Sequence, residues 1–244
     1  FCRLMERIMI QKTKALSGNT SRENPLLFKK TYVREFARTS IFSVPSNNDC
    51  DIITASDIII EEILRKNMMV GEDCFLPPRF YTNCASRLFY TMENADSGSL
   101  LIFLKQTSMI LRECGAIYSK DEKIFADRKK VTFGNLFSAF WNYNPWNALF
   151  PSVPEFADSM QKNKTALLEL ILSYDEVFSV DRLSRDYCML TGLKYQNFLL
   201  FSSFVDFSVI SLLIRFGLLE YISTENEVSV RLTKHGRAFL FSLS

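Results

Sequence analysis

The pattern that most restricts how this chain can fold occurs twice. In each copy an apolar helical stretch ends at a glycine, a short strand and a polar hairpin follow, and a threonine then opens another helix. The later copy runs Ser211-Leu212-Leu213-Ile214-Arg215-Phe216-Gly217-Leu218-Leu219-Glu220-Tyr221, through the polar Ser223-Thr224-Glu225-Asn226-Glu227, to Val228-Ser229-Val230-Arg231-Leu232-Thr233-Lys234-His235-Gly236-Arg237. The earlier and more degenerate copy runs Ser108-Met109-Ile110-Leu111-Arg112-Glu113-Cys114-Gly115-Ala116-Ile117-Tyr118, through Ser119-Lys120-Asp121-Glu122-Lys123, to Ile124-Phe125. A glycine between helix and strand supplies the left-handed cap that a side chain would resist, so Gly115 and Gly217 are both expected at positive φ.

A chain of 244 residues, 48% hydrophobic and with 22 phenylalanines, can bury one large core or two small ones. Its formal charge of +2 is too small to announce a nucleic-acid partner by bulk electrostatics, so any basic footprint must be local. The one basic region lies before Asn48, where Arg3, Arg7, Lys12, Lys14, Arg22, Lys29, Lys30, Arg34 and Arg38 face only Glu6, Glu23 and Glu35. Within it, Leu27 to Phe36 has helix-compatible apolar spacing. The expected division is a basic N-terminal region at 1–50, a first unit with an aromatic junction at 51–150, and a second unit at 151–244.

A helix is expected to start after Ser56, with Asp57 and Glu61-Glu62 near its positive end, and to stop at Met69-Val70-Gly71. Leu76-Pro77-Pro78 is a breaker. The first copy's long helix carries Leu100, Leu101, Phe103, Leu104, Ile110 and Leu111, with Lys105, Gln106, Thr107, Ser108 and Arg112 on a polar, partly basic face. Thr132 can cap a helix bearing Phe133, Leu136, Phe137, Phe140 and Trp141, which leads into a packed aromatic junction ending at Pro151. One helix is expected from Phe156 to about Tyr174, and another opens at Ser179, whose hydroxyl can cap it, and ends at Gly192. The stretch Phe198 to Ile214 is long enough to cross a bilayer, but Asp206 sits near its middle, and an aspartate there costs about 2.5–3.5 kcal/mol on insertion scales. A buried helix preceded by a loop or short helix is the expectation, with no membrane partner.

Little here points to catalysis. His235 is the only histidine, and it stands at the end of a hairpin, where a surface or backbone-bonded role is expected rather than general-base chemistry. Six cysteines are scattered without a CxxC pair, so neither a structural metal nor a disulfide framework is expected. Cys188 reads as a buried thiol. Adjacent acids at Glu61-Glu62 and Asp121-Glu122 diverge and read as solvated faces. No phosphate-cradling glycine loop occurs. The expectation is a protein that is not an enzyme and needs no cofactor. Scattered free cysteines and the absence of a signal-peptide pattern after Phe1 suggest the cytoplasm, and a start at Phe1 suggests a trimmed chain.

The repeated order of helix, glycine, strand, polar hairpin and strand is that of the second half of a winged helix. The expected fold is therefore mainly α, with two winged-helix units and an irregular N-terminal region. The chain also resembles a poorly characterised bacterial family with two winged-helix-like units, some members of which carry a C-terminal SEC-C cysteine motif. The resemblance rests on Leu111 to Ala116, on the aromatic block Leu136 to Trp146, and on Arg215-Phe216-Gly217-Leu218-Leu219 with Leu232-Thr233-Lys234-His235-Gly236-Arg237. The SEC-C cysteines are absent here. The first copy also lacks a clean Leu-Thr-x-x-Gly, and either Val131-Thr132 or Phe125-Ala126-Asp127 stands in its place.

Two functions stay open at this point. The first is a nucleic-acid-associated or regulatory protein whose partner is double-stranded DNA, gripped by Lys29, Lys30, Lys105, Arg112, Lys129 and Lys130. The helix before Gly217, read as Ser203 to Arg215, is too apolar to read base edges, and Glu225 and Glu227 in its hairpin would repel phosphate. The second is an adaptor or homo-oligomeric scaffold that uses the same units for protein contacts, since a helix apolar nearly all round must be covered.

Overall fold

The computed structural model describes residues 51–243, apart from 67, 70–75, 90–96, 143–145, 147–149, 151, 175–176, 196 and 224–227. The expected helix at Leu27–Phe36, the basic region that contains it, and Glu225 and Glu227 lie outside the described residues. The described chain is mostly helical, with two small antiparallel sheets. It divides into two compact units. One takes the described residues up to Pro145 and also Arg215–Gly217; the other takes Trp146–Ile214 and Leu218–Ser244.

The first unit begins with α1 (Asp51–Arg65), α2 (Pro78–Phe89) and α3 (Ser97–Glu113). In α1, Ile52, Ala55, Ile59 and Ile63 recur at helical spacing and are all buried. The helix covers Asp51–Arg65, so Ser56 is buried inside it rather than at its cap, and the helix stops short of Met69. Proline opens α2, at the one helical position where its missing N–H is no loss. Strands β1 (Ile117–Lys120) and β2 (Lys123–Ala126) form a hairpin with a two-residue turn. Met69 adds a third, one-residue strand through an antiparallel bridge to Lys123, and the Ile124 N–H donates to the Met68 carbonyl (3.0 Å). A short 3₁₀ turn, Arg128–Lys130, leads to α4 (Phe133–Asn142). Phe133, Phe137 and Phe140 of α4 pack against Phe216, with ring centroids 5.4–5.6 Å apart.

The second unit contains α5 (Pro154–Lys162), α6 (Lys164–Ser173), α7 (Val180–Thr191), α8 (Phe198–Arg215, whose last residue belongs to the first unit), β3 (Leu219–Ser223), β4 (Val228–Leu232) and α9 (Lys234–Phe241). The single helix expected over Phe156–Tyr174 is two, interrupted at Asn163, whose amide bonds back to the Ser159 carbonyl. Competition of that kind between an asparagine side chain and the backbone ladder is what makes the residue a poor helix interior. Ser179 caps α7 through the Arg182 N–H (3.2 Å), and Gly192 ends it at φ 68°. Phe178 bridges Val230 through bonds of 2.9 and 2.8 Å, again a single residue added beside the second strand of the hairpin.

Helix α8 starts five residues before the expected Ser203 and is one continuous run, with a π-helical segment at Asp206–Ile210. By length and composition it could cross a bilayer, yet 67% of that window is buried inside the protein. Phe204, Phe207, Ile210, Leu213 and Ile214 are all in the core. Asp206 is tolerated in this apolar helix because the Tyr221 hydroxyl of β3 donates to it (3.2 Å).

Candidate nucleic-acid interface

Both hairpins hang from the same local device. Gly115 and Gly217 each have φ 70°, and the next residue's N–H returns to the helix: Ala116 to the Leu111 carbonyl (2.8 Å) and Leu218 to the Leu213 carbonyl (2.9 Å). These are Schellman-type closures of the last turn. The carbonyls of Ala116 and Leu218 then accept from Asp127 (2.8 Å) and Thr233 (3.1 Å) at the far end of each hairpin. Residues 116 and 218 therefore correspond, as do 127 and 233.

In the first copy the two roles of Thr233 fall to two residues, Asp127 at the end of the strand and Thr132 at the start of the helix. Thr132 is the helix cap, accepting from the Asn135 N–H (3.3 Å) as Thr233 accepts from Gly236 (2.8 Å). Between Asp127, where the strand closes, and the cap at Thr132, the first unit inserts the 3₁₀ turn, which Asp127 caps through the Lys129 N–H (3.0 Å). The second unit has no insertion, and α9 starts directly against the closed strand. A Cβ at Gly236 would lie 1.9 Å from the Leu218 carbonyl oxygen, so only glycine fits. With the extra turn, the equivalent position in the first unit holds Asn135.

The inserted turn is where the exposed cations gather. Arg128, Lys129 and Lys130 are all exposed, with Arg128 paired to Asp57 (3.2 Å). The Lys130 ammonium lies 3.0 Å from where a Cβ on Gly115 would stand, which puts it at the negative end of α3, close to the turn that follows Arg112. Lys120 and Lys123 add exposed charge on the hairpin, and Arg112 is exposed on the last turn of α3. Lys105 is half-buried, its ammonium 5.7 Å from the centre of the Tyr81 ring. Arg112, Lys129 and Lys130 are thus brought to adjoining elements, Lys105 is set back against Tyr81, and Lys29 and Lys30 lie outside the described residues.

The polar face expected on α3 is mostly internal. Gln106, Thr107 and Ser108 are buried; the Thr107 hydroxyl bonds the Phe103 carbonyl, and Ser108 shares a hydrogen bond with Tyr81 (2.8 Å). The Tyr81–Ser108 bond joins α2 to α3 inside the unit. Glu62 departs in the same way. Its side chain is fully buried, not part of a solvated face, and sits within 2.9 Å of Arg65, 2.5 Å of Lys66 and 3.8 Å of Arg87. Burial pushes its carboxyl up, but hydrogen bonds from Lys66 and Arg65 outweigh this and hold it below the usual range. Nothing in an adjacent Glu61-Glu62 pair distinguishes the buried acid from Glu61, which is half-exposed and pairs with Arg87 at 2.6 Å.

Burial governs the three described thiols. Burial, with the Glu62 charge second, pushes the Cys84 thiol up to about 12, and burial also raises Cys114 and Cys188. Cys188 is half-buried rather than enclosed. His235 is exposed and stacks on Phe239. Among the described residues no group of three His, Cys, Asp or Glu side chains is placed to hold a metal ion. In the second unit an open groove between α6 and α9 is lined by Glu169, Leu172, Lys234 and Phe241, with Arg237 committed to the Tyr174 carbonyl (3.0 Å).

No protein-family model, curated protein or solved structure matches this chain.

Proposed function

We propose that the protein is a non-enzymatic, nucleic-acid-associated regulator built from two winged-helix units, as in the bacterial family its sequence resembles. Support for the units comes from element order. Helix, bridge residue, helix, helix, strand and strand follow one another as α1, Met69, α2, α3, β1 and β2, and again as α6, Phe178, α7, α8, β3 and β4. That is the winged-helix sequence of elements, with the bridge residue as its short first strand.

The observation that carries the nucleic-acid reading is the gathering of exposed cations Arg112, Lys120, Lys123, Arg128, Lys129 and Lys130 around the hairpin of the first unit. Phosphate attracts such a group without base reading, and the few cations on α3 argue for positioning contacts over sequence readout. The test is duplex DNA binding by fluorescence anisotropy in low salt. Charge reversal at Arg112, Lys129 and Lys130, with Lys29, Lys30 and Lys105 in a second variant, is expected to weaken binding and flatten its salt dependence by about one unit of slope per lost contact. Undetectable duplex binding by the unaltered protein in low salt sinks the reading.

A second reading, protein assembly, draws on the second unit. Met189 and Leu190 at the end of α7 are 75% and 59% exposed, an apolar pair with no core role. If they serve a contact between copies, Met189→Gln with Leu190→Gln lowers the sedimentation mass of the protein; an unchanged mass removes this reading.

A further inference from the structure

The hairpin of the first unit turns an unusual face to solvent. Cross-strand partners share a face of the sheet, so Tyr118 and Phe125 stand together on it, as do Lys120 and Lys123, with Met69 beside Lys123 through its bridge. Tyr118, Phe125 and Met69 are 46%, 40% and 51% exposed, whereas Ile117 and Ile124 on the opposite face are buried. The two rings lie 5.6 Å apart with planes only 19° from parallel. Neither Lys120 nor Lys123 forms a salt bridge among the described residues, although like charges directly opposite each other weaken a hairpin.

Packing offers no account of these choices. In the second unit, the rung that corresponds to Tyr118 and Phe125 holds Glu220 and Arg231, a cross-strand ion pair at 2.8 Å suited to a solvated face. The first unit places an exposed aromatic pair there instead and follows it with a lysine pair that forms no salt bridge among the described residues. Local rules broken without a compensating gain in stability mark functional surfaces. Parallel aromatic planes flanked by cations are the chemistry that holds unpaired nucleic-acid bases: rings stack on base faces of any sequence, and ammonium groups meet the phosphates between them.

We infer that the outer face of the β1–β2 hairpin binds a single nucleic-acid strand, with Tyr118 and Phe125 as the stacking surface and Lys120 and Lys123 as phosphate contacts. The inference rests on the nucleic-acid reading given above and adds engagement of unpaired bases to the duplex grip. Asp121 and Glu122 form the turn at the tip, at φ 50° and 61°. Their charge opposes phosphate, so they limit affinity at that end.

The experiment measures anisotropy of a labelled oligo-dT of about twelve nucleotides, within the span one such module covers, and of a blunt duplex of equal length, each with the full chain. Tyr118→Ala and Phe125→Ala each weaken oligo-dT binding about tenfold while duplex affinity changes less than about twofold. Tyr118→Leu with Phe125→Leu keeps the hairpin covered and gives the same loss, and Tyr118→Phe restores binding. Lys120→Gln with Lys123→Gln flattens the single-strand salt slope by about 1.4 units; Asp121→Asn with Glu122→Gln raises affinity. Duplex binding without oligo-dT binding, or oligo-dT binding indifferent to the ring variants, overturns this inference and leaves the proposed function standing. Failure to bind either nucleic acid overturns both. Leucine variants that leave oligo-dT binding intact but change the mass of the protein in solution assign the face to a protein contact and overturn the inference as well.

Discussion

Two hairpins in this protein share the hydrogen bonds that close their bases and differ in what they show to solvent. Below each one, a glycine at φ 70° ends a helix, and a carbonyl just beyond it receives the returning strand. Above that base, β3–β4 turns a Glu220–Arg231 ion pair outward and ties the Tyr221 hydroxyl to Asp206. β1–β2 turns Tyr118, Phe125, Lys120 and Lys123 outward. The helix before each hairpin reverses the contrast: α8 is apolar and enclosed on most of its surface, while α3 ends in exposed Arg112 beside a basic turn. At the hairpin and the helix that feeds it, the second unit turns out an ion pair and packs its helix, whereas the first exposes lysines and an aromatic pair. A shared scaffold thus says little about task, which resides in the few positions the scaffold does not constrain.

The comparison can be broken most forcefully at Arg215. This arginine belongs to the first unit, where it is buried, pairs with Asp51 and lies 4.8 Å from the centre of the Phe103 ring. Arg215→Ala takes away an ion-pair partner of a largely buried carboxylate, and a loss of about 3 kcal/mol is expected in urea unfolding. A loss below about 1 kcal/mol shows the pair to behave like a surface ion pair.

Next in size is the asymmetry at the helix cap. Gly236→Ala sets a Cβ against the Leu218 carbonyl, and the backbone must move, for about 3 kcal/mol in thermal unfolding. Asn135→Ala at the equivalent place loses only a side-chain bond to the Lys130 carbonyl, about 1 kcal/mol. Equal costs at the two positions contradict the inserted turn as the reason that one unit needs glycine.

The acid response probes the first unit. Glu62 has its folded carboxyl below the ordinary range, so it contributes stability that is present above the unfolded value and is lost as pH falls through the folded value. Glu62 lies in the first unit. Glu62→Gln is expected to lower stability at neutral pH and to flatten the pH dependence on the acidic side, as followed by urea midpoints from pH 7 to 3. An unchanged slope assigns acid sensitivity elsewhere.

Smallest in stability, and sharpest for function, is a transplanted rung. Tyr118→Glu with Phe125→Arg gives the first hairpin the ion pair of the second, and thermal stability should shift by no more than about 1 kcal/mol while oligo-dT binding is lost. Retained binding means that the rung is not what distinguishes the hairpins.

Local chemistry was legible in the sequence. Gly115 and Gly217 at positive φ, the caps at Thr132, Ser179 and Thr233, the end of α7 at Gly192 and the apolar burial of α8 all follow from a residue and its near neighbours, because backbone strain, capping and helical periodicity act within a turn or two. Tertiary structure decided the rest. It put Glu62 inside and Glu61 outside, drew Gln106, Thr107 and Ser108 into the first unit, and recruited Met69 and Phe178 as third strands. It reached Asp206 from Tyr221 and stacked Tyr118 on Phe125 in the open. Each of these depends on which element arrives alongside, and a polar residue reads the same in sequence whether its partner is water or a distant side chain; only the packed chain distinguishes them, since burial and hydrogen bonding are properties of the pair.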